Sequence, residues 1–222
     1  MRPIWCVSLA AALAACGRES KPKASQEAPV PNHDDPRATP PAGQPTPPAA
    51  AAAGSVVDRE LDVTSVNLRA RVRVKVPAAW TVSGLQVVLR DEYQEAIAGV
   101  QFTVTCDGTC GDDEVAKLPQ IVDQTFETRT RPNIGTGDPA LDAVRMNLEV
   151  VDQGDVPNGK FRVGRITKPA DLQGPYRNQL YAVCARAKPG SKIVAAQAWA
   201  PLAREAELGP VIIAACKTFE IL

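Results

Sequence analysis

Beyond about residue 56, the side chains whose types and spacing suggest chemistry are four cysteines, one acidic loop and a few aromatics. Cys106 and Cys110 flank Asp107-Gly108-Thr109, and Cys184 and Cys216 lie further along the chain. In an oxidising compartment an even number of cysteines points to two disulfides, with three possible connectivities. The preferred pairing is Cys106 with Cys110 across a tight loop and Cys184 with Cys216 between two C-terminal strands. On a chain-entropy basis the longer loop contributes about 3.7 kcal/mol and the shorter about 2 kcal/mol. The Cys-x-x-x-Cys spacing also suits a redox or copper site, but with the only histidine at His33, in a proline-rich stretch, a structural disulfide is the stronger reading. Ser-His-Asp and Cys-His catalysis and histidine-bound metals are excluded on the same ground.

Asp107, Asp112, Asp113 and Glu114 would offer oxygen ligands to Ca²⁺, but their spacing does not follow the EF-hand loop, and a solvated acidic turn is the simpler reading. Asp152 and Asp155 flank another turn and are read alike. No Gly-x-Ser-x-Gly, Ser-x-x-Lys or phosphate loop occurs beyond residue 56, and Gly135-Thr-Gly-Asp-Pro139 lacks the lysine of a phosphate loop and reads as a turn. No cofactor and no enzymatic activity are expected. Trp80 and Tyr93 lie beside turns and are candidates for a ligand or partner surface. Trp199 and Tyr181 sit in apolar runs and are expected in the core.

The elements that must position these groups are strands. Val66, Leu68, Ala70, Val72, Val74 and Val76 alternate with polar residues, the period of a half-buried strand that Pro77 ends. Leu85–Arg90 and Ile97–Thr105 read as a hairpin about Asp91–Gln94, with Val100, Phe102 and Val104 facing the core. Val144–Val150 and Phe161–Ile166 form a second hairpin, with Asn158-Gly159 its strongest turn signal. Leu180–Ala185, Ile193–Trp199 and Val211–Leu222 supply further strands. The segment 114–130 is ambiguous: Val115, Leu118, Val122 and Phe126 suit a helical face, whereas Pro119 and the threonines suit an edge strand. The expectation is an all-β antiparallel β-sandwich with one short helix around 114–130.

Leu89-Arg-Asp-Glu-Tyr-Gln-Glu-Ala-Ile-Ala-Gly-Val-Gln-Phe-Thr-Val104 resembles the strand-turn-strand of prealbumin-like and immunoglobulin-like bacterial repeat domains. The likeness covers about 16 residues, lacks the usual turn glycine, and implies fold class only.

The N-terminus carries a different signal. Met1-Arg2 gives a positive start, Ile4–Ala15 an apolar run too short to span a bilayer, and Leu13-Ala14-Ala15-Cys16 a small-residue cleavage site closed by cysteine. This resembles the bacterial lipoprotein signal. The resemblance implies removal of residues 1–15, a diacylglycerol on the Cys16 sulfur and acylation of its amino group. At about 0.8 kcal/mol per buried CH₂, two or three chains hold a protein to a membrane where one is marginal. Gly17 is not the aspartate associated with inner-membrane retention, so the resemblance implies the outer membrane, facing the periplasm or the cell surface.

From Cys16 to about Ser55, proline and alanine dominate with almost nothing to bury, and a disordered tether with polyproline II character is expected. Such a tether spans ~35 Å if flexible and approaches ~120 Å if stiff. Residues 56–222 then form one domain. Lys+Arg and Asp+Glu both number 25, so no basic footprint marks nucleic acid as a partner. The first expectation is a lipid-anchored, non-enzymatic envelope protein that binds a protein partner or assembles a complex. The alternatives are a binding module for a glycan, a small ligand or Ca²⁺, and a hydrolase working through carboxylates alone.

Overall fold

In the computed structural model, residues 54–131, 137, 139–172 and 176–222 are described, all within one unit, Pro47–Leu222. The cleavage site, Cys16 and nearly all of the tether lie outside the described residues.

Alternation builds the first hairpin. Strand β1 (Val56–Ser65) pairs antiparallel with β2 (Leu68–Pro77), and Leu61, Val63, Ala70, Val72, Val74 and Val76 are buried on one side. Val66, expected on that face, is instead 93% exposed. It occupies the turn with a left-handed backbone (φ 54°), because the hairpin needs such a residue there and its partner strand precedes it. Alternation alone starts the strands at Val66 and overlooks β1, whose outer half is too polar to show a strong pattern.

Next come the short β3 (Thr81–Ser83), β4 (Gln86–Arg90) and β5 (Ala96–Asp107). The expected β4–β5 hairpin is present, with Val100, Phe102 and Val104 buried. Its turn is held by Asp91, whose Oδ1 accepts from the amides of Tyr93 and Glu95, both at 2.9 Å. A one-turn helix, α1 (Asp112–Val115), leads into α2 (Leu118–Thr130), and α3 (Pro139–Asp142) follows. The ambiguous segment is therefore helical. Pro119 opens the helix, where a missing N–H costs nothing, and Thr125 and Thr128 turn their hydroxyls onto carbonyls four residues back.

Strands β6 (Asn147–Val156), β7 (Gly159–Thr167), β8 (Gln179–Lys188) and β9 (Lys192–Pro201) complete the larger sheet. The β6–β7 turn is centred on Pro157-Asn158, one residue before the expected pair, with Asn158 left-handed (φ 55°). The last expected strand is mostly helix: α4 (Glu205–Thr218) is followed by the two-residue β10 (Glu220–Ile221). Leu208, Ile212, Ala215, Cys216 and Phe219 are buried at helical spacing, a period obscured by Pro210 and a continuous apolar run.

The fold is a mostly antiparallel β-sandwich. A seven-stranded sheet, β3-β4-β5-β9-β8-β7-β6, is faced by the three-stranded β1-β2-β10. The main core lies between them, with α4 filling the same layer: Phe102, Leu180, Ala196, Leu208 and Phe219 join the valines of β2 there. Helix α2 packs on the opposite face of the large sheet over a smaller core that includes Val122, Phe126, Tyr181, Val183 and Ile193.

Candidate functional site

The second face is where the sheet is incompletely covered. The apolar stripe of α2 is narrow, Leu118, Val122 and Phe126 at four-residue spacing, enough to seat one helix over β7 and β8. The α2 side of β5 matches this limit. While Val100, Phe102 and Val104 face the main core, the alternate residues Gln101, Thr103 and Thr105 are polar and at least partly exposed. The helix stops short of β5, leaving a trough along its flank.

Two recesses make up the trough. The wider, about 680 Å³, is lined by Thr125, Thr128, Arg129 and Arg131 of α2 and its end, Tyr176 and Arg177 of the loop before β8, and Gln179, Tyr181, Gln197 and Trp199 of β8 and β9. The narrower, about 530 Å³, runs past Gln120, Ile121 and Gln124 towards Thr105 and Cys106. Thr125 and Thr128 border both, so the recesses adjoin along α2. The helix they flank has 13 residues and is about 20 Å long.

Trp199 forms the apolar part of the wider floor. It stands opposite Gly99 on one side and Tyr181 on the other. Its ring leans over Gly99, where an added Cβ would lie 2.7 Å from Trp199 Cζ2. Beside it, the Tyr181 hydroxyl donates to Gln197 Oε1 at 2.6 Å, and Phe126 packs edge-on against the Tyr181 ring. Burial pushes the Tyr181 phenol well up, despite the opposing charge of Arg129, so it stays protonated and serves as a fixed donor.

Arginine supplies the charge of this end. Arg129 donates from Nη2 to Gln179 Oε1 at 2.8 Å and lies 5.4 Å from the Tyr181 ring centre. Arg131 pairs with Glu127, while its Nε is buried with no hydrogen-bond partner. Arg177 is exposed and has no ion-pair partner among the described residues. Among the described residues, no carboxylate lines the wider recess. The arrangement offers planar cations, hydrogen-bond donors and aromatic surface. It brings no nucleophile next to a base.

The residues singled out from sequence are placed differently. Trp80 is fully buried, which corrects its reading as a surface candidate: it follows the end of β2 and packs into the main core. Tyr93 is 78% exposed on the β4–β5 turn and lines neither recess. The acidic loop is not gathered into one site. Asp107 turns to Lys192 and accepts the Arg69 amide at 2.9 Å, Glu114 accepts from the Gly111 amide, and Asp112 and Asp113 are exposed in α1. No group of three metal-ligating side chains forms among the described residues. The Lys192 and Arg69 contacts hold the Asp107 carboxyl below its ordinary value.

Cys106 and Cys110 are joined as expected, fastening the end of β5 to the entry of α1 beside the narrower recess. Cys184 and Cys216 are not joined: both are buried free thiols, and burial, with the nearby Cys184 thiol adding to it, raises the Cys216 thiol. The expected strand-to-strand geometry is corrected to a strand-to-helix one. Cys184 faces Ala196 across the β8–β9 ladder, and Cys216 of α4 sits above, its Sγ 3.6 Å from the Ala196 carbonyl oxygen. Trp199 and Tyr181, expected in the core, border the trough while remaining largely packed. The arginines carry no sequence motif that marks them. The available signal was Gln197, a lone amide inside the apolar run Ile193–Ala200, together with the polar alternation of Gln101, Thr103 and Thr105.

No protein-family model matches the chain, and no curated protein does. Among solved structures, the chain is similar to cyanobacterial PsbP (CyanoP) from Synechocystis sp. PCC 6803, at 12% identity and TM-score 0.43, covering 76% of this chain and 94% of that one. It is also similar to the Ran-binding protein Mog1p of Saccharomyces cerevisiae, at 13% identity and TM-score 0.41, covering 75% and 96%. At these scores neither likeness bears on activity or partners.

Proposed function

We propose that this chain is an exported, lipid-anchored, non-enzymatic binding protein that takes an extended segment of an envelope protein into the trough beside α2. The observation that carries the reading is that two recesses adjoin along α2, with Thr125 and Thr128 bordering both. The roughly 20 Å of helix beside the recesses matches about six residues of extended chain. Its floor offers what such a segment needs: the Gln197 amide for a backbone carbonyl and the Trp199 ring for an apolar side chain. Cys16 would hold the domain to the membrane, and the tether would give it reach to find a partner.

A second reading, a small ligand confined to the wider recess, is favoured by that recess's volume, which falls within the roughly 300–1,000 Å³ range of small-molecule sites. Photo-crosslinking residues at Gln124, Thr128 and Asp62 separate the two. The proposed function expects one and the same envelope protein to be joined at Gln124 and Thr128, and not at exposed Asp62 on β1. Silence at Gln124 and Thr128, or equal capture at Asp62, overturns it. Replacement of Cys16 by Ala should also abolish labelling by a fatty-acid analogue, and retained label would overturn the anchor.

A further inference from the structure

The Cys106–Cys110 disulfide is placed differently from a buried staple. In β5, Val100, Phe102 and Val104 face the main core, and strict alternation would send Cys106 after them. A bulge shifts the register against β9 between Val104 and Cys106 and turns Cys106 to the α2 side, the re-aiming that bulges commonly produce. There Cys106 packs against the smaller core and lines the narrower recess with Lys117, Ile121 and Ile193. Cys110 is 2% exposed and lines neither recess. One member of the pair therefore fronts a recess and the other lies behind it.

The loop between them is held by other contacts as well. Asp107 accepts the Arg69 amide at 2.9 Å and pairs with Lys192, and Glu114 accepts the Gly111 amide at 3.0 Å. The disulfide joins residues only four apart, and so short a ring constrains the unfolded chain least. Opening it leaves those contacts in place. The Ser191 carbonyl oxygen lies 3.1 Å from Cys110 Sγ, so a Cys110 thiol has an acceptor ready for its S–H.

We propose that Cys106 is a site of reversible modification by a low-molecular-mass thiol that enters the narrower recess, whose volume of about 530 Å³ suits a small molecule. The incoming thiolate attacks Cys106 Sγ and forms a mixed disulfide as the Cys106–Cys110 bond breaks. Cys110 leaves with the electron pair, takes a proton from water and donates its S–H to the Ser191 carbonyl. One disulfide replaces another, with no net oxidation. Lys117 puts a cation at the recess to draw the thiolate in, while the Glu114 carboxylate, also at the recess, is turned to the Gly111 amide. The site stands whatever the trough binds.

Reduced glutathione is the probe. The full chain is treated with it under native conditions, free thiols are blocked by alkylation, and the adduct is located by peptide mapping. The expected trapped product carries glutathione on Cys106 and the alkyl group on Cys110. Single variants give the same comparison from the other direction, with oxidised glutathione as reagent: the free thiolate takes one half and releases the other as reduced glutathione. Cys106 in Cys110→Ser should react at least about tenfold faster than Cys110 in Cys106→Ser, with cooperative thermal unfolding confirming that both variants are folded. An adduct on Cys110 in place of Cys106, comparable rates in the two variants, or inertness of both sulfurs until denaturant is added overturns the inference. Reaction with a cysteine-bearing hexapeptide but not with glutathione overturns the assignment to a small thiol.

Discussion

Gly99→Ala probes the link between the sheet and the trough floor most directly. Gly99 is buried in the middle of β5, opposite Trp199, and its backbone lies outside the left-handed region, so alanine fits the backbone and only the side chain is at issue. The new Cβ would lie 2.7 and 2.8 Å from two atoms of the Trp199 ring and 3.0 Å from Val88 Cγ1. Carbon contacts settle at about 3.5–4.0 Å. The ring must therefore rise by most of an ångström, and Tyr181 on its other side leaves the trough as the way out. Overpacking of this kind costs about 1–3 kcal/mol, offset by about 0.4–1 kcal/mol from the stiffer unfolded chain. A net loss of roughly 1–2 kcal/mol lowers Tm by about 2–8 °C in a domain of this size. Thermal unfolding followed by near-ultraviolet circular dichroism reads both the loss and the displaced indole. Trp199→Leu should relieve the clash, so the double variant should lose less than the sum of the single ones, by more than about 0.5 kcal/mol. An unchanged or raised Tm in Gly99→Ala, or strict additivity with Trp199→Leu, would refute the reasoning.

Two further outcomes are expected. Hydrogen bonds from Arg165 hold the Glu205 carboxyl below its ordinary value of 4.5. A depressed folded-state pKa contributes stability above the unfolded value and loses it as pH falls through the folded one. Glu205→Gln should therefore melt below the parent at pH 7, with the gap closing below about pH 4.5; parallel Tm–pH curves would contradict this. Cys184 and Cys216 both lie against Ala196, and this nearness predicts that oxidised glutathione converts the two thiols into one disulfide with release of two reduced glutathiones, leaving the protein two hydrogens lighter. The closed loop of about 32 residues would add up to about 3.7 kcal/mol. Burial raises the Cys216 thiol well above its ordinary value, so the reaction should be slow in the native state and quicken where mild denaturant loosens α4. Two thiols still open to alkylation after denaturation without reductant would count against it.

Much of the architecture is readable residue by residue because alternation is a local property. The Ala70, Val72, Val74 and Val76 face of β2, the Val100, Phe102 and Val104 face of β5, and the β8 and β9 runs each carry their burial pattern within a single strand. Where two periods overlap, local reading fails. In the stretch Val211–Leu222 most residues are apolar, and Pro210 argues against a helix, yet Leu208, Ile212, Ala215 and Phe219 bury as one helical stripe since the sheet beneath has room for a helix. Trp80 escapes local reading for a related reason: proximity to a turn says nothing about which way a side chain goes once the chain has turned.

Composition and order along the chain are enough to exclude histidine chemistry, to propose an anchor at Cys16, and to recognise a β domain, because each rests on which residues exist or on how near neighbours alternate. The trough cannot be read that way. It arises where a helix with a narrow apolar stripe meets a sheet wider than itself, and its lining comes from α2, β8, β9 and the loop before β8, segments far apart along the chain. The same holds for Cys184 and Cys216. Their pairing is within reach of counting, but that one thiol stands on a strand and the other on the helix above it follows from packing α4 on the sheet, a long-range choice made by buried area rather than by local pattern.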